Sequence, residues 1–217
     1  MDNLKTKINT HYSSIAQKAL NNGSDTFPVL SCGSVKTIEN LNPGETILDL
    51  GSGPGREVLL AAQKVGPTGK AYGLDISLDM LKLANHNREK LNITNATFLQ
   101  GEMEDIPLPD NSVDVVISNC VINLSLDKTR TISEISRVLK PKGRIQITDK
   151  VTLNPLPQQA RKDPELWCDC VGGAITIDEY RQILEQIGFI NIEIEVEHQQ
   201  GCCGDQALDA FIYAEKS

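Results

Sequence analysis

The sequence predicts an α/β fold, a seven-stranded and mostly parallel sheet with helices on both faces and an antiparallel hairpin at its end. Three observations carry this. From Thr46 onward, strand-like and helix-like segments alternate, the pattern that builds a parallel sheet with crossover helices. A glycine-rich turn, Gly51-Ser52-Gly53-Pro54-Gly55, joins the first of these strands to the next helix. Near the end, two strands follow one another with no helix between them, so they can pair antiparallel.

Each element has a local reason. Leu4, Ile8, Tyr12, Ile15, Ala16 and Ala19 recur at helical spacing, which predicts an amphipathic first helix ending near Asn21-Asn22-Gly23. A loop with Pro28 and Cys32 follows, then a short helix near Ser34 to Leu41; residues 1–40 read as a helical cap and 41–217 as the main domain. Asn42-Pro43-Gly44 opens strand Thr46 to Leu50, and later strands are expected at Lys70 to Leu74, Ala96 to Gln100, Val113 to Ser118 and Arg144 to Thr148. Helices are expected near Arg56 to Val65, Ser77 to Leu91 with Ser77 as N-cap, and Lys128 to Leu139, ended by Pro141 and Gly143. Val151 to Thr176 reads as a long irregular stretch, of a length usually reserved for function. Helix Asp178 to Ile187 stops at Gly188, and strands Asn191 to Val196 and Phe211 to Glu215 form the terminal hairpin.

The chain has 217 residues, a formal charge of -8 and no Lys/Arg cluster, so it lacks the electrostatic footprint of a nucleic-acid binder. No apolar run approaches the roughly 20 residues that a bilayer requires, and the amino terminus has no secretory pattern. No membrane partner and a cytoplasmic location are the expectations. Six cysteines in a reducing compartment are too few for a disulfide scaffold, so their positions must explain them.

Glycines between a strand and a helix let the backbone turn sharply and approach a ligand at the helix amides. Asp75 ends the next strand, where it can accept hydrogen bonds from the two hydroxyls of a ribose, and the third strand runs into Gly101-Glu102-Met103-Glu104-Asp105, where an adenine amine could be read. Asp49, just before the glycines, suits a cationic or zwitterionic ligand better than a pyrophosphate. Asp49 to Gly55 resembles the first motif of the class I methyltransferases, from about Leu41 to Glu215. The resemblance implies S-adenosylmethionine as cofactor, held by Asp49, Gly51, Ser52, Gly53, Gly55 and Arg56, by Asp75 and Ile76, by Glu102 and Met103, and by Asn119.

Two cysteine strings narrow it. Ser118-Asn119-Cys120-Val121-Ile122-Asn123-Leu124 follows the fourth strand, and Cys170-Val171-Gly172-Gly173-Ala174 lies in the long stretch after the fifth, so both belong at the strand ends where ligands of open sheets bind. Together they resemble the arsenite methyltransferases, which implies Cys120 and Cys170 as arsenic ligands and methyl transfer to trivalent arsenic, in detoxification. Trivalent arsenic is soft and prefers thiolates. Cys32 is a weaker match to an N-terminal cysteine of that family, Cys168 reads as a small buried residue or a further ligand, and Cys202-Cys203 reads equally as a vicinal dithiol or a plain loop. Val58 stands where the family usually has another cysteine, and its further C-terminal domain has no counterpart here. Arsenite therefore needs another thiol, from Cys32, Cys168, the Cys202-Cys203 pair or glutathione. Zinc is disfavoured, because Cys168-x-Cys170 has the wrong spacing and His11, His86 and His198 are scattered. A methyltransferase for a small organic substrate, as in quinone biosynthesis, and a non-catalytic thiol-based arsenic or metal binder are the alternatives.

Overall fold

The computed structural model describes residues 2–21, 36–197 and 207–217. Cys32, His198, Cys202 and Cys203 lie outside the described residues. Helices α1 (Asp2–Asn21) and α2 (Lys36–Glu39) precede the alternating region. There β1 (Thr46–Leu50), α3 (Arg56–Val65), β2 (Lys70–Asp75), α4 (Leu78–Lys90), β3 (Ala96–Gln100), β4 (Val113–Asn119), α5 (Lys128–Val138) and β5 (Leu139–Thr152) follow in turn. Then come α6 (Pro164–Cys168), β6 (Ile175–Thr176), α7 (Ile177–Ile187), β7 (Phe189–Glu197) and β8 (Leu208–Lys216). The strands order as β3-β2-β1-β4-β5-β8-β7, with β8 antiparallel to both β5 and β7. This is the class I methyltransferase fold that the sequence predicts, with one addition: β6 pairs in parallel with the end of β5 as an eighth, two-residue strand.

Both faces of the central strands are covered. Successive side chains of a strand point to opposite faces, so Ile47 joins the apolar layer under α3 while Leu48 and Leu50 join the layer under α5 and α7. Val58, Leu59, Ala62 and Val65 form the stripe by which α3 packs on the sheet. Thr176 and Glu179 make a capping box at the start of α7, and Gly188 at φ 98° ends it. Helix α1 lies on α4 through Ala16, Met80 and Leu83. Among the described residues, no helix is long and apolar enough to cross a membrane.

Two expectations change. Helix α5 stops at Val138, ahead of Pro141 and Gly143, and β5 begins at Leu139 opposite Val113 instead of at Arg144, with a register shift that lets the extra residues bulge before Arg144 pairs with Val115. The stretch Val151 to Thr176 is also more regular than its prolines suggest. Asp163 caps α6, accepting from the Glu165 N–H at 2.9 Å with Pro164 at the first helical position, but five residues are too few for a periodic signal.

Candidate active site

β1 is flanked by β2 on one side and β4 on the other, so the chain reverses its winding direction beside β1, and a crevice opens past the strand ends there. Asp49, Gly51, Ser52 and Gly53 form one side of this pocket, with Asp75 to Ser77 after β2, Gly101 to Glu104 after β3, and Asn119 to Val121 after β4. Helix α1 adds Lys5, Ile8, Asn9 and Tyr12, and Pro54, Glu57, Leu74, Met80 and Leu124 complete the lining.

The glycine turn is demanded by the protein's own packing. Gly51 sits at φ 66°, and a Cβ there would fall 2.3 Å from Cγ2 of Val121; Gly55 sits at φ 85°, with Phe98 2.5 Å from the same position. Asp75 ties the turn to β2: its carboxylate accepts from the N–H groups of Gly53 and Ser77, each at 2.8 Å. Burial pushes the Asp75 carboxyl up, and the N–H bonds from Ser77, Gly53 and Ile76 pull the other way. Asp49 is only 3% exposed, and burial followed by the Glu57 and Asp75 charges pushes its carboxyl well above the usual range. The buried amide of Asn119 has neither its nitrogen nor its oxygen hydrogen-bonded among the described residues. Lys5 pairs with Glu102 at 2.8 Å and lies 3.9 Å from Glu104, while Ser13 and Ser77 share a hydrogen bond of 2.9 Å.

Cys120 and Cys170, fifty positions apart, come together. Cys120 lines the pocket, and the Cys170 thiol donates to the Cys120 carbonyl at 2.6 Å. Both are buried and both are left-handed, at φ 57° and 61°, a conformation that costs non-glycine residues on the order of 1–3 kcal/mol and that clusters at functional sites. Cys168 is half-exposed; burial, then Asp169 and Glu165, push its thiol up. Its carbonyl accepts from the Tyr12 hydroxyl at 3.1 Å. Burial, then the Cys170, Cys168 and Cys120 thiols, push the Tyr12 phenol up.

Arg56 and Val58 differ from expectation. Arg56 turns outward to Glu57 at 3.1 Å and does not line the pocket. Val58 is fully buried in the apolar layer under α3 and does not line the pocket. Sequence reasoning missed α1 as a wall, because an apolar stripe does not say what it covers. It also missed Asp149, Asn123 and Lys128, which are joined only in three dimensions. Asp149 accepts from the Asn123 backbone and amide nitrogens at 3.1 and 2.8 Å, and Lys128 reaches the Ser125 carbonyl at 3.1 Å.

Comparison with known proteins fits this geometry. Residues 41–188 match the family described as "Methyltransferase domain". An arsenic(III) S-adenosylmethionine methyltransferase from Chlamydomonas reinhardtii superposes with a TM-score of 0.75 and 32% identity, covering 93% of this chain and 73% of that one. The chain belongs to the arsenite S-adenosylmethionine methyltransferase family. The arsenite methyltransferase of Halobacterium salinarum is 44% identical over 76% of this chain and 42% of its own length. A demethylmenaquinone methyltransferase of Symbiobacterium thermophilum is 40% identical over only 48% of this chain and 42% of its own. The chain thus spans less than half the length of these two curated relatives. S-adenosylmethionine is the cofactor of the arsenite methyltransferase family, and the pocket suits that group. Its sulfonium and ammonium are cationic, the carboxyl groups of Asp49, Glu57 and Asp75 face the pocket, where a bound cation would favour their ionised forms, and Asn119 offers a buried amide with no hydrogen bond among the described residues.

Proposed function

We propose that this chain transfers a methyl group from S-adenosylmethionine to trivalent arsenic held by the thiolates of Cys120 and Cys170, and so detoxifies arsenic. The observation that carries this reading is the convergence of the two thiol-bearing turns at the mouth of the cofactor pocket, with the Cys170 sulfur 2.6 Å from the Cys120 carbonyl oxygen. Soft arsenic replaces hydroxide by thiolate: each As–O bond gives way to an As–S bond, and the thiol proton leaves with the hydroxide as water, with no change of oxidation state. A lone pair remains on arsenic, so no base has to remove a proton from the nucleophile.

When bound, S-adenosylmethionine supplies an electrophilic methyl on a sulfonium. The residues of the chain supply orientation and exclusion of water. Asp75 and the Gly51 to Gly55 turn hold the ribose and methionine side, the Glu102-Met103 segment reads the adenine side, and Asn119 bridges toward Cys120. Tyr12 closes the pocket over the Cys168–Cys170 segment.

Two thiolates complete the coordination of methylarsenite, whose third substituent is carbon, and leave arsenite one ligand short. Glutathione, Cys168 or a cysteine outside the described residues fills that place for arsenite. The test is kcat/KM for the two arsenicals with purified protein and labelled S-adenosylmethionine, a ratio that reports their relative transition-state stabilisation. Methylarsenite is expected to react at least as efficiently as arsenite without added thiol, with glutathione narrowing the gap. Absence of S-adenosylhomocysteine with either arsenical, despite stoichiometric arsenic binding, would make the chain an arsenic sink. Absence of arsenic binding altogether would return the small organic substrate to first place.

A further inference from the structure

Asn123 sits between the two turns that carry the thiols. On one side its backbone and side-chain nitrogens donate to the two oxygens of Asp149, a residue with no exposure, and its amide nitrogen also reaches the Lys150 carbonyl at 2.7 Å. This fixes the 3-10 turn Ile122–Leu124, which begins two residues after Cys120. On the other side the Asn123 carbonyl presses on Gly173: a Cβ at residue 173 would fall 1.9 Å from that oxygen. Gly173 and Gly172 are in turn packed on the Trp167 ring, over which Lys128 lies at 5.7 Å, while the Lys128 ammonium reaches back to the Asn123 and Ser125 carbonyls.

One direct tie between the cysteines is of a different kind. It is a bond from the Cys170 S–H, and a sulfur that has given its proton away to bind arsenic no longer has that donor. The Asp149–Asn123–Gly173 contacts involve neither thiol and persist. We propose that Asp149, acting through Asn123, is a positioning residue that holds the Cys120 and Cys170 turns at the spacing arsenic requires once their thiol hydrogen bond is gone. Each left-handed turn is held locally, by the Cys120 N–H on the Thr148 carbonyl at 2.7 Å and by the Cys170 and Val171 N–H groups on the Trp167 and Leu166 carbonyls at 3.0 and 2.8 Å, and the clamp sets one turn against the other. The contacts join the two strings: Asn123 belongs to one and Gly173 to the other. The inference rests on the arsenic-binding reading above.

The experiment compares wild type, Asp149→Asn and Gly173→Ala for two ligands. Phenylarsenite is titrated by the fluorescence of Trp167, the one tryptophan of the chain, and S-adenosylmethionine is titrated by calorimetry. Removal of an outer partner of a metal ligand typically costs 10–100-fold in affinity, so each variant is expected to bind phenylarsenite roughly 10-fold or more weakly, with S-adenosylmethionine affinity within about twofold. Gly173→Ala leaves Asp149 intact and disturbs the clamp from the opposite side, so it reads the same spacing independently of the buried charge. Unchanged phenylarsenite affinity in either variant overturns the proposal. So does a parallel loss for both ligands, which would mark a general packing role. Failure of the wild type to bind phenylarsenite while it binds S-adenosylmethionine would instead sink the arsenic reading itself.

Discussion

At the ends of β1 and β2 the pocket is made largely of backbone: left-handed Gly51, Gly53 and Gly55 turn the chain, and Asp75 ties the turn down through two N–H groups. Past the end of β4 and just after α6 the left-handed positions carry side chains, Cys120 and Cys170, and the support comes from buried Asp149 and Asn123, from Lys128 and from the Trp167 ring. Glycine adopts positive φ at no steric cost, whereas a cysteine there needs contacts that outweigh the strain. Both sides rest on contacts of similar reach, Gly53 to Asp75 across 22 positions and Asn123 to Asp149 across 26, and they differ in which residue takes the left-handed conformation. The thiol side draws on β4, β5, α6 and α1, and under the proposed reading its left-handed residues are also the arsenic ligands, so glycine cannot replace them.

Three mutations sharpen that contrast. Cys120→Ser and Cys170→Ser replace a soft ligand by a hard one of nearly the same size. Each is expected to lower arsenical kcat/KM by more than the roughly 10–100-fold typical of losing an outer partner of a ligand, while calorimetry gives an unchanged S-adenosylmethionine affinity. Wild-type rates in both variants on every arsenical would remove the thiols from the mechanism. Asp75→Ala acts on the other half. It removes a charged acceptor of two backbone N–H groups, so S-adenosylmethionine binding should weaken by about 1.5–3 kcal/mol, with arsenical binding to the thiols retained. Equal weakening of both ligands would mean that the two halves do not separate as argued.

Tyr12→Phe has the smallest expected effect and lies on the boundary. It deletes the hydroxyl that donates to the Cys168 carbonyl and keeps the ring in the pocket wall. Loss of one such bond should weaken phenylarsenite binding by about 0.5–1.5 kcal/mol, with little change in S-adenosylmethionine affinity. The reverse pattern, a cofactor defect with normal arsenical binding, would assign α1 to the cofactor side alone.

Much of this protein was legible in the sequence because it is local. The alternation of elements, the Ser77 N-cap, the glycine motif and the terminal pair of strands depend on residues close in the chain, whereas the strand order, in which β4 follows β3 in the chain but pairs with β1, does not. The pairing of two cysteine strings was legible only by resemblance, since nothing in either string says that the other lies beside it. Tertiary structure alone decided the rest. It buried Val58 in the apolar core, turned Arg56 outward, laid α1 along the pocket and set Asn123 against Asp149 on one side and Gly173 on the other. The physical reason is that periodicity and capping report which face of an element seeks burial, while the partner of that face is chosen by packing across the whole sheet. Residues buried for their charge or amide, such as Asp149 and Asn123, leave no periodic trace at all.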